Sequence, residues 1–353
     1  DLNGSYTDSD TVVIDPSITF SSFTGSLSDN WGFTAAPDPD GNLYAGGIVF
    51  GGGYPVTTGV VGQTFNGGTP TDGAPPTSPL SNGFDVGITK FNSRGTAFIF
   101  STYIGGSANE TPHSIVSDAQ GNMFLFGVTS SPNFPTSTLC YQNSFNGGTT
   151  VSPDNLKFNG SDIYVLELNP SGTSLIASTY LGGSGNDGMS FGTLQYNYGD
   201  NFRGEIIVDQ NFVYFSSVTQ STNFPTLSPS QATLSGSQDA VVVKMTKNLA
   251  TLVWSTYYGG SADETGNGIA LSGNGSLYIT GGTNSSNLNL GGGGWDASYN
   301  SGRDGFVTRF DAMSGTVLNG TYIGTSDYDQ SYFVQVDDDN DVYVLGQTDG
   351  NWT

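Results

Sequence analysis

The sequence predicts an all-β fold of tandem repeats, and three observations support this prediction. The 353-residue chain is rich in glycine (52), tyrosine (18) and phenylalanine (22), a composition typical of short strands joined by tight turns. A short phrase around an aromatic residue recurs five times. Between successive copies lie strand-like runs separated by turn residues, so the chain is expected to be built from one repeated β unit.

The repeated phrase has the pattern Ser-Thr-Tyr, an apolar residue, then Gly-Gly-Ser. Its copies cover residues 20–26, 100–107, 177–184, 254–261 and 320–326. The aromatic residue recurs at intervals of 65 to 80 residues, at Phe23, Tyr103, Tyr180, Tyr257 and Tyr322. A regular internal period of this kind is the signature of a repeat architecture.

Each unit consists of two predicted β-hairpins. In the second full copy, residues 112–118 lead through a Gly121-Asn122 turn into 123–129, and residues 162–168 lead through a turn at 169–172 into 174–180. Four strands a, b, c and d in tandem predict the blades of a β-propeller. A β-helix or stacked solenoid is the competing architecture, but its coils are shorter and more uniform than these units.

The predicted propeller covers residues 14–353 and follows the tail of a preceding segment at residues 1–13. Its blades are expected at about 31–104, 111–181, 188–258 and 266–323, with a partial blade at 330–353. Residues 14–24 are predicted to form a lone strand d, and the chain stops after strands a and b of the fifth unit. We therefore expect a partial ring of four complete blades from a parent with seven or eight blades, within the usual range for propellers.

The composition disfavours several classes of function. The net charge of −23, from 31 acidic and 8 basic residues, argues against nucleic acid as a partner, because phosphate binding relies on Lys and Arg. Cys140 is the only cysteine, so neither an internal disulfide nor a Cys/His zinc site is expected. No apolar run approaches the roughly 18 residues of a membrane span.

The predicted d-to-a loops carry acidic residues that are expected to form a ring near the central channel. Carboxylate oxygens are ligands that Ca²⁺ and other hard cations prefer. The alternative is that these side chains cap tight turns and hydrogen-bond the backbone of the neighbouring blade. The candidate metal ligands are Asp29, Asp187, Asp263, Glu264, Asp327 and Asp329.

No catalytic residue is assigned from the sequence. His113 is the only histidine, and a Ser/His/Asp arrangement would need a serine positioned beside it. Residues 182–187 match a calcium nonapeptide motif letter for letter, but that motif works by stacking consecutive turns, and the next copy of this phrase lies 77 residues away. A pair of carboxylates that hydrolyses glycosides stays a possible interpretation, because such a pair is recognised by the distance between its two carboxyl groups in the folded protein.

The repeat resembles a known family. Its elements are the Ser-Thr-Tyr phrase, an Asp-x-x-Gly-Asn-x-Tyr turn as at residues 38–44, and an Asn-Phe-Pro-Thr motif at 133–136 and 223–226. Together they resemble the SBBP repeat of bacterial surface proteins, most like those in large Bacteroidetes proteins exported by the type IX secretion system. The resemblance covers nearly the whole chain from Ile14 onward.

The resemblance implies a location and an architecture more than an activity. It implies a secreted or cell-surface propeller that serves as a non-enzymatic binding or scaffold module of a larger adhesion- or gliding-associated protein. Calcium is the one cofactor to consider, and it rests on the acids of the d-to-a loops alone. The expected partners are a protein or glycan at the cell surface, and the secretion machinery if the type IX route applies. The alternative is a glycan-active hydrolase or lyase that uses carboxylates on the top face.

Overall fold

The protein is an all-β propeller whose blades are four-stranded antiparallel sheets. The structure, a computed structural model, describes residues 18–351. Within these residues, four complete blades are followed by a two-stranded sheet that corresponds to the first half of a fifth blade. The predicted fold class is confirmed.

The strands of each blade pair with one another in chain order. Blade 1 contains β1 (Asn30–Pro37), β2 (Leu43–Val49), β3 (Asp85–Phe91) and β4 (Phe98–Ile104). Blade 2 contains β5 (Glu110–Ser117), β6 (Met123–Thr129), β9 (Asp162–Leu168) and β10 (Leu175–Leu181), with the small ribbon β7 (Thr150–Val151) and β8 (Phe158–Asn159) between β6 and β9.

The remaining blades repeat this order. Blade 3 contains β11 (Glu205–Val208), β12 (Phe212–Thr219), β13 (Asp239–Thr246) and β14 (Leu252–Tyr258). Blade 4 contains β15 (Glu264–Leu271), β16 (Ser276–Thr283), β17 (Asp304–Asp311) and β18 (Val317–Ile323), and the half blade 5 contains β19 (Asp329–Val336) and β20 (Val342–Thr348).

The helices of the described chain are single 3-10 turns in loops. They are Pro79–Ser81, Pro153–Asn155, Gly192–Leu194 and Asp200–Phe202. In residues 18–351 there is no helix with the length and apolar character that a membrane crossing needs.

The first strand of each blade lies innermost, and the core lies between blades. β1 contacts β5, β5 contacts β11, β11 contacts β15, and β15 contacts β19. Phe126 of blade 2 packs against Phe215 of blade 3 with ring centroids 5.2 Å apart, in a cluster that also holds Val165 and Val241. A blade with a neighbour on each side has both faces of its sheet covered. This explains why every residue of β6 and β9 in blade 2 is buried.

The tyrosine of the repeated phrase holds the loop between strands b and c in place through hydrogen bonds. Tyr180 Oη accepts the N–H of Phe134 at 2.8 Å and donates to the carbonyl of Ser131 at 2.7 Å. Tyr257 makes the same two bonds with Phe224 and with Ser221. The Ser-Thr-Tyr phrase and the Asn-Phe-Pro motif thus recur together because they hydrogen-bond each other.

The predicted lone strand at residues 14–24 differs from the structure in its described part. No strand is assigned to residues 18–24, because no strand c lies beside this segment within the described chain, and residues 14–17 lie outside that range. Phe20 nevertheless contacts blade 1: its ring blocks the side-chain position of Gly95. Phe100 of strand d in blade 1 contacts Gly172 of blade 2 in the same way. Phe20 therefore occupies the position of a strand-d aromatic residue, although its segment forms no β-ladder.

Candidate functional site

A central cavity is lined by residues that the inner strands expose through β-bulges. β1, β5, β15 and β19 each shift register at the same repeat position. A bulge re-aims a side chain out of the regular alternation of a strand. The bulged residues are Phe33, His113, Asn267 and Tyr332, and Gly204 stands just before β11; all five line the cavity.

These positions were not recognised as a set in the sequence. Phe33, His113, Asn267 and Tyr332 follow the aromatic residue of their own repeat phrase at the same interval. The backbone feature is repeated while the side chain is different in each blade. A comparison of the repeats for equivalent positions with unlike side chains would have found them.

The cavity has a volume of about 490 Å³, within the usual range for a small-molecule site. Its walls include the aromatic side chains of Trp31, Tyr198 and Phe202 beside the bulged Phe33 and Tyr332. Such walls favour a ligand with flat apolar faces.

Two buried polar atoms in the cavity wall lack a hydrogen-bond partner. They are Nδ1 of His113 and Oδ1 of Asn267, whose amide nitrogen donates to the carbonyl of Ser331 at 2.9 Å. Burial lowers the pKa of His113 to about 3, so its imidazole is neutral near pH 7. Unpaired buried polar atoms are costly, and a ligand that bonds them removes that cost.

Residues 188–204, here called the strap, form an insertion that no other blade has. In blades 2, 4 and 5 strand a starts directly at an acidic residue, whereas Asp187 is separated from β11 by the strap. Asn197 Nδ2 donates to Tyr332 Oη at 2.9 Å, and the N–H of Gly199 donates to Asp154 at 2.8 Å. The strap thus connects blades 5 and 2 and forms part of the cavity wall.

The charged groups at the cavity largely compensate one another. Arg203 pairs with Asp200 at 3.0 Å and lies over the Tyr332 ring, 4.6 Å from its centroid. Glu205 accepts the N–H of Ile269 at 2.9 Å, and burial raises its pKa to about 7. The cavity therefore suits a neutral ligand better than an ion.

The predicted metal ligands divide into two groups, and none of them lines the central cavity. Asp29 and Asp327 are exposed and Asp263 is half-buried. The other three, Asp187, Glu264 and Asp329, are buried at the d-to-a connections. Within residues 18–351 no three His, Cys, Asp or Glu side chains lie close enough together to share a metal ion.

Each buried acid of the second group accepts hydrogen bonds from its own turn. Asp187 accepts the N–H of Gly183 at 2.7 Å and the hydroxyl of Ser221 at 2.8 Å. Glu264 accepts the N–H of Gly260 at 2.8 Å and the hydroxyl of Thr283 at 2.6 Å. These bonds are those of turn-capping side chains.

A second repeated acid, which sequence analysis did not assign, lies beside each of these residues. It is the first residue of strand c, and its recurrence at that position in every predicted c run was a visible signal. The strand-c acids are fully buried. The facing pairs are Asp85 with Glu110, Asp162 with Asp187, Asp239 with Glu264, and Asp304 with Asp329.

Burial and mutual repulsion raise the pKa of these carboxyls. Burial is the main cause, and it raises the pKa of Asp85 and of Asp187 to about 8 and that of Glu264 to about 7. The neighbouring Asp85 further raises the pKa of Glu110. Because both members of a pair are buried, neither carboxyl is exposed to a saccharide in solvent.

Raising the pH from about 5 to about 8 in EDTA is expected to lower the thermal unfolding midpoint. Asp85, Asp187 and Glu264 have folded pKa values of about 8, 8 and 7, above the 3.8 or 4.5 of the unfolded chain. The folded state therefore keeps protons that the unfolded state has released, and stability is lost as the pH rises through this range. Calorimetry at several pH values measures the trend, and a midpoint that climbs steadily towards pH 8 would contradict it.

Other groups act in the opposite direction at lower pH. The pKa of His113 is lowered in the folded state, so stability is lost as the pH falls from about 6.5 towards 3. Hydrogen bonds with Lys90 and Asn42 lower the pKa of Asp38, so stability is also lost as the pH falls below about 4. The maximum of stability is therefore expected at mildly acidic pH.

The architecture defines the class of protein: a β-propeller of four-stranded blades with a lined central cavity. Residues 253–289 match the family model SBBP, described as a beta-propeller repeat. No curated protein matches the sequence.

Solved propellers resemble the chain only at low identity. The Dos1 propeller is 11% identical, with a TM-score of 0.37 over 90% of this chain and 67% of that one. A gluconolactonase from Xanthomonas campestris is 12% identical, with a TM-score of 0.36 over 92% and 85%. An ulvan lyase of polysaccharide lyase family 25 is 11% identical, with a TM-score of 0.41 over 90% and 66%. No statement about the activity of this chain follows from them.

Proposed function

We propose that this protein is a non-enzymatic, extracellular binding module of a larger adhesion- or gliding-associated protein, and that it holds a terminal sugar of a surface glycan in the central cavity. The observation that carries the proposal is the ring of bulged residues. These positions share a backbone geometry, carry a different side chain in each blade, and face one cavity.

The chemistry of the wall fits a saccharide ring. The aromatic rings of Trp31, Phe33 and Tyr332 offer surfaces for the apolar C–H faces of a pyranose. His113 Nδ1 and Asn267 Oδ1 are buried in this wall without hydrogen-bond partners, and a rotation of either side chain towards the cavity brings its atom to a sugar hydroxyl. With its net charge of −23, the protein as a whole disfavours an anionic ligand.

The alternative function is a glycan-active hydrolase or lyase. Such an enzyme needs two carboxylates that reach the sugar from either side. Glu205 is the one carboxylate among the cavity-lining residues. The close carboxyl pairs, such as Asp85 with Glu110 beside Gly105, are buried at the junctions between blades. This placement supports binding over catalysis.

The double variant His113→Phe/Asn267→Ala is expected to weaken binding of the recognised saccharide about tenfold, because it removes two hydrogen bonds worth roughly 0.5–1.5 kcal/mol each. Phenylalanine preserves the packing of residue 113 against Phe126 and Phe202. A glycan array selects the saccharide, and calorimetry measures its dissociation constant.

The matched control is Trp295→Ala, which removes an aromatic ring that is 81% exposed and lies outside the cavity wall. It should bind as the unmodified chain does. Binding that the double variant leaves unchanged would refute the cavity as the site, and release of new reducing or unsaturated ends from the bound glycan would favour the enzyme.

A further inference from the structure

We propose that each junction between blades binds one divalent hard cation, best fitted by Ca²⁺, between the strand-c acid of one blade and the acid that follows its Gly-Gly phrase. The four sites are Asp85 with Glu110, Asp162 with Asp187, Asp239 with Glu264, and Asp304 with Asp329. This proposal is independent of the glycan proposal. It also differs from the loop prediction, since it leaves out Asp29, Asp263 and Asp327.

The first glycine of the phrase leaves a carboxylate-lined space at each junction. A Cβ on Gly105 would lie 2.6 Å from Glu110 Oε2 and 2.8 Å from Asp85 Oδ1. A Cβ on Gly182 would lie 2.5 Å from Asp162 Oδ1 and 2.8 Å from Asp187 Oδ2. Oxygens of two carboxylates thus converge where a side chain is missing, and Gly259 repeats the arrangement, while the atoms nearest to a Cβ on Gly324 are those of Asp304.

At two of the four junctions, carboxylate oxygens of the paired acids lack hydrogen-bond partners, whereas at the other two, Asp162 with Asp187 and Asp239 with Glu264, every carboxylate oxygen accepts a hydrogen bond. Asp85 Oδ1 and Asp304 Oδ1 are without a partner although both side chains are fully buried, and Asp329 Oδ1 is unpartnered on a side chain that is 2% exposed. Asp85 Oδ1 and Asp304 Oδ1 are also the atoms nearest to the missing side chains of Gly105 and Gly324, apart from Glu110 Oε2. An unpartnered buried carboxylate oxygen carries a large desolvation cost, which a bound cation offsets.

Charge balance favours a divalent ion. The ion pairs of the described chain use Asp38, Asp72, Asp118 and Asp200, so no Lys or Arg neutralises the junction acids there. Two ionised carboxylates and one divalent cation are neutral together. Ca²⁺ accepts six to eight oxygens in flexible geometry, so neutral oxygens and water can complete the shell, whereas Mg²⁺ demands a stricter octahedron.

The experiment titrates CaCl₂ into the EDTA-treated, dialysed full chain and follows both heat and the thermal unfolding midpoint. We expect saturable binding of about four ions and a rise of the midpoint by several degrees, with a smaller rise for MgCl₂ at equal concentration. Absence of saturable binding, or of any rise of the midpoint, overturns the proposal.

Paired variants locate the sites. Asp85→Asn/Glu110→Gln should lower the stoichiometry by about one ion, while the metal-free variant unfolds at or above the midpoint of the metal-free parent because neutral amides replace two buried groups whose ionisation burial disfavours. The matched control Asp338→Asn/Asp339→Asn changes two exposed acids and should retain every site. Equal loss of calcium in both variants would show diffuse surface binding and overturn the proposal.

Discussion

Trp254→Ala is expected to lower the free energy of unfolding by about 3–5 kcal/mol, because it removes a large buried side chain from a junction that cannot collapse around the void. Trp254 is 2% exposed and lies in β14 of blade 3. Its indole N–H donates to the carbonyl of Ala312 at 3.1 Å, and its ring fills the position that a Cβ on Gly315 would occupy in blade 4. Urea unfolding followed by fluorescence and circular dichroism measures the loss.

The control for this prediction comes from the repeat itself. Phe100 occupies the equivalent place against Gly172, so Trp254→Phe should cost only about 1 kcal/mol, mainly for the lost bond to Ala312. If Trp254→Ala unfolds within about 1 kcal/mol of the parent, the inter-blade contact does not carry the stability assigned to it.

Gly182→Ala is expected to lower the free energy of unfolding by about 3 kcal/mol, near the upper end of overpacking costs. The new Cβ would lie 2.5 Å from Asp162 Oδ1 and 2.8 Å from Asp187 Oδ2, so the carboxylates must move in a buried site. The same variant should bind about one calcium ion fewer, because the methyl group fills the proposed site. Urea unfolding and calcium calorimetry on one preparation measure both effects.

Gly273→Ala is the matched control. Gly273 has an ordinary backbone angle and no atom within 4 Å of the position of a Cβ, so its replacement should change stability by less than about 1 kcal/mol and leave calcium binding intact. A Gly182→Ala protein as stable as the Gly273→Ala protein would show that the junction has room for a methyl group. The missing side chain of Gly182 would then not be what leaves room for a cation.

Much of the fold could be predicted because its signals are local. The predicted runs 123–129 and 162–168 coincide with β6 (Met123–Thr129) and β9 (Asp162–Leu168). The turn at Asp118 is fixed by bonds to Gln120 and Asn122, so its pattern in the sequence is enough to place it. Residues 18–24 failed as a strand because a strand needs a partner, and sequence alone does not supply one.

The candidate sites were harder to predict, because equivalent repeat positions can mark their residues without showing which of them meet in space. Alternation of apolar residues reports which face of a strand is buried, but a bulge such as the one at His113 turns a side chain out of that pattern. The strap gives no sign in sequence that Asn197 bonds to Tyr332 in another blade. Its composition reads as an ordinary loop.

The sequence by itself determined the repeat, the four-stranded blade, the acidic charge and the shortage of histidine, cysteine and arginine that leaves no catalytic site assigned. Only the tertiary structure decided that Asp85 faces Glu110 across a glycine and that four bulged residues share one cavity. The physical reason is that hairpins and turns are stabilised by bonds within a unit. Both sites arise from packing between units, where residues distant in the chain meet.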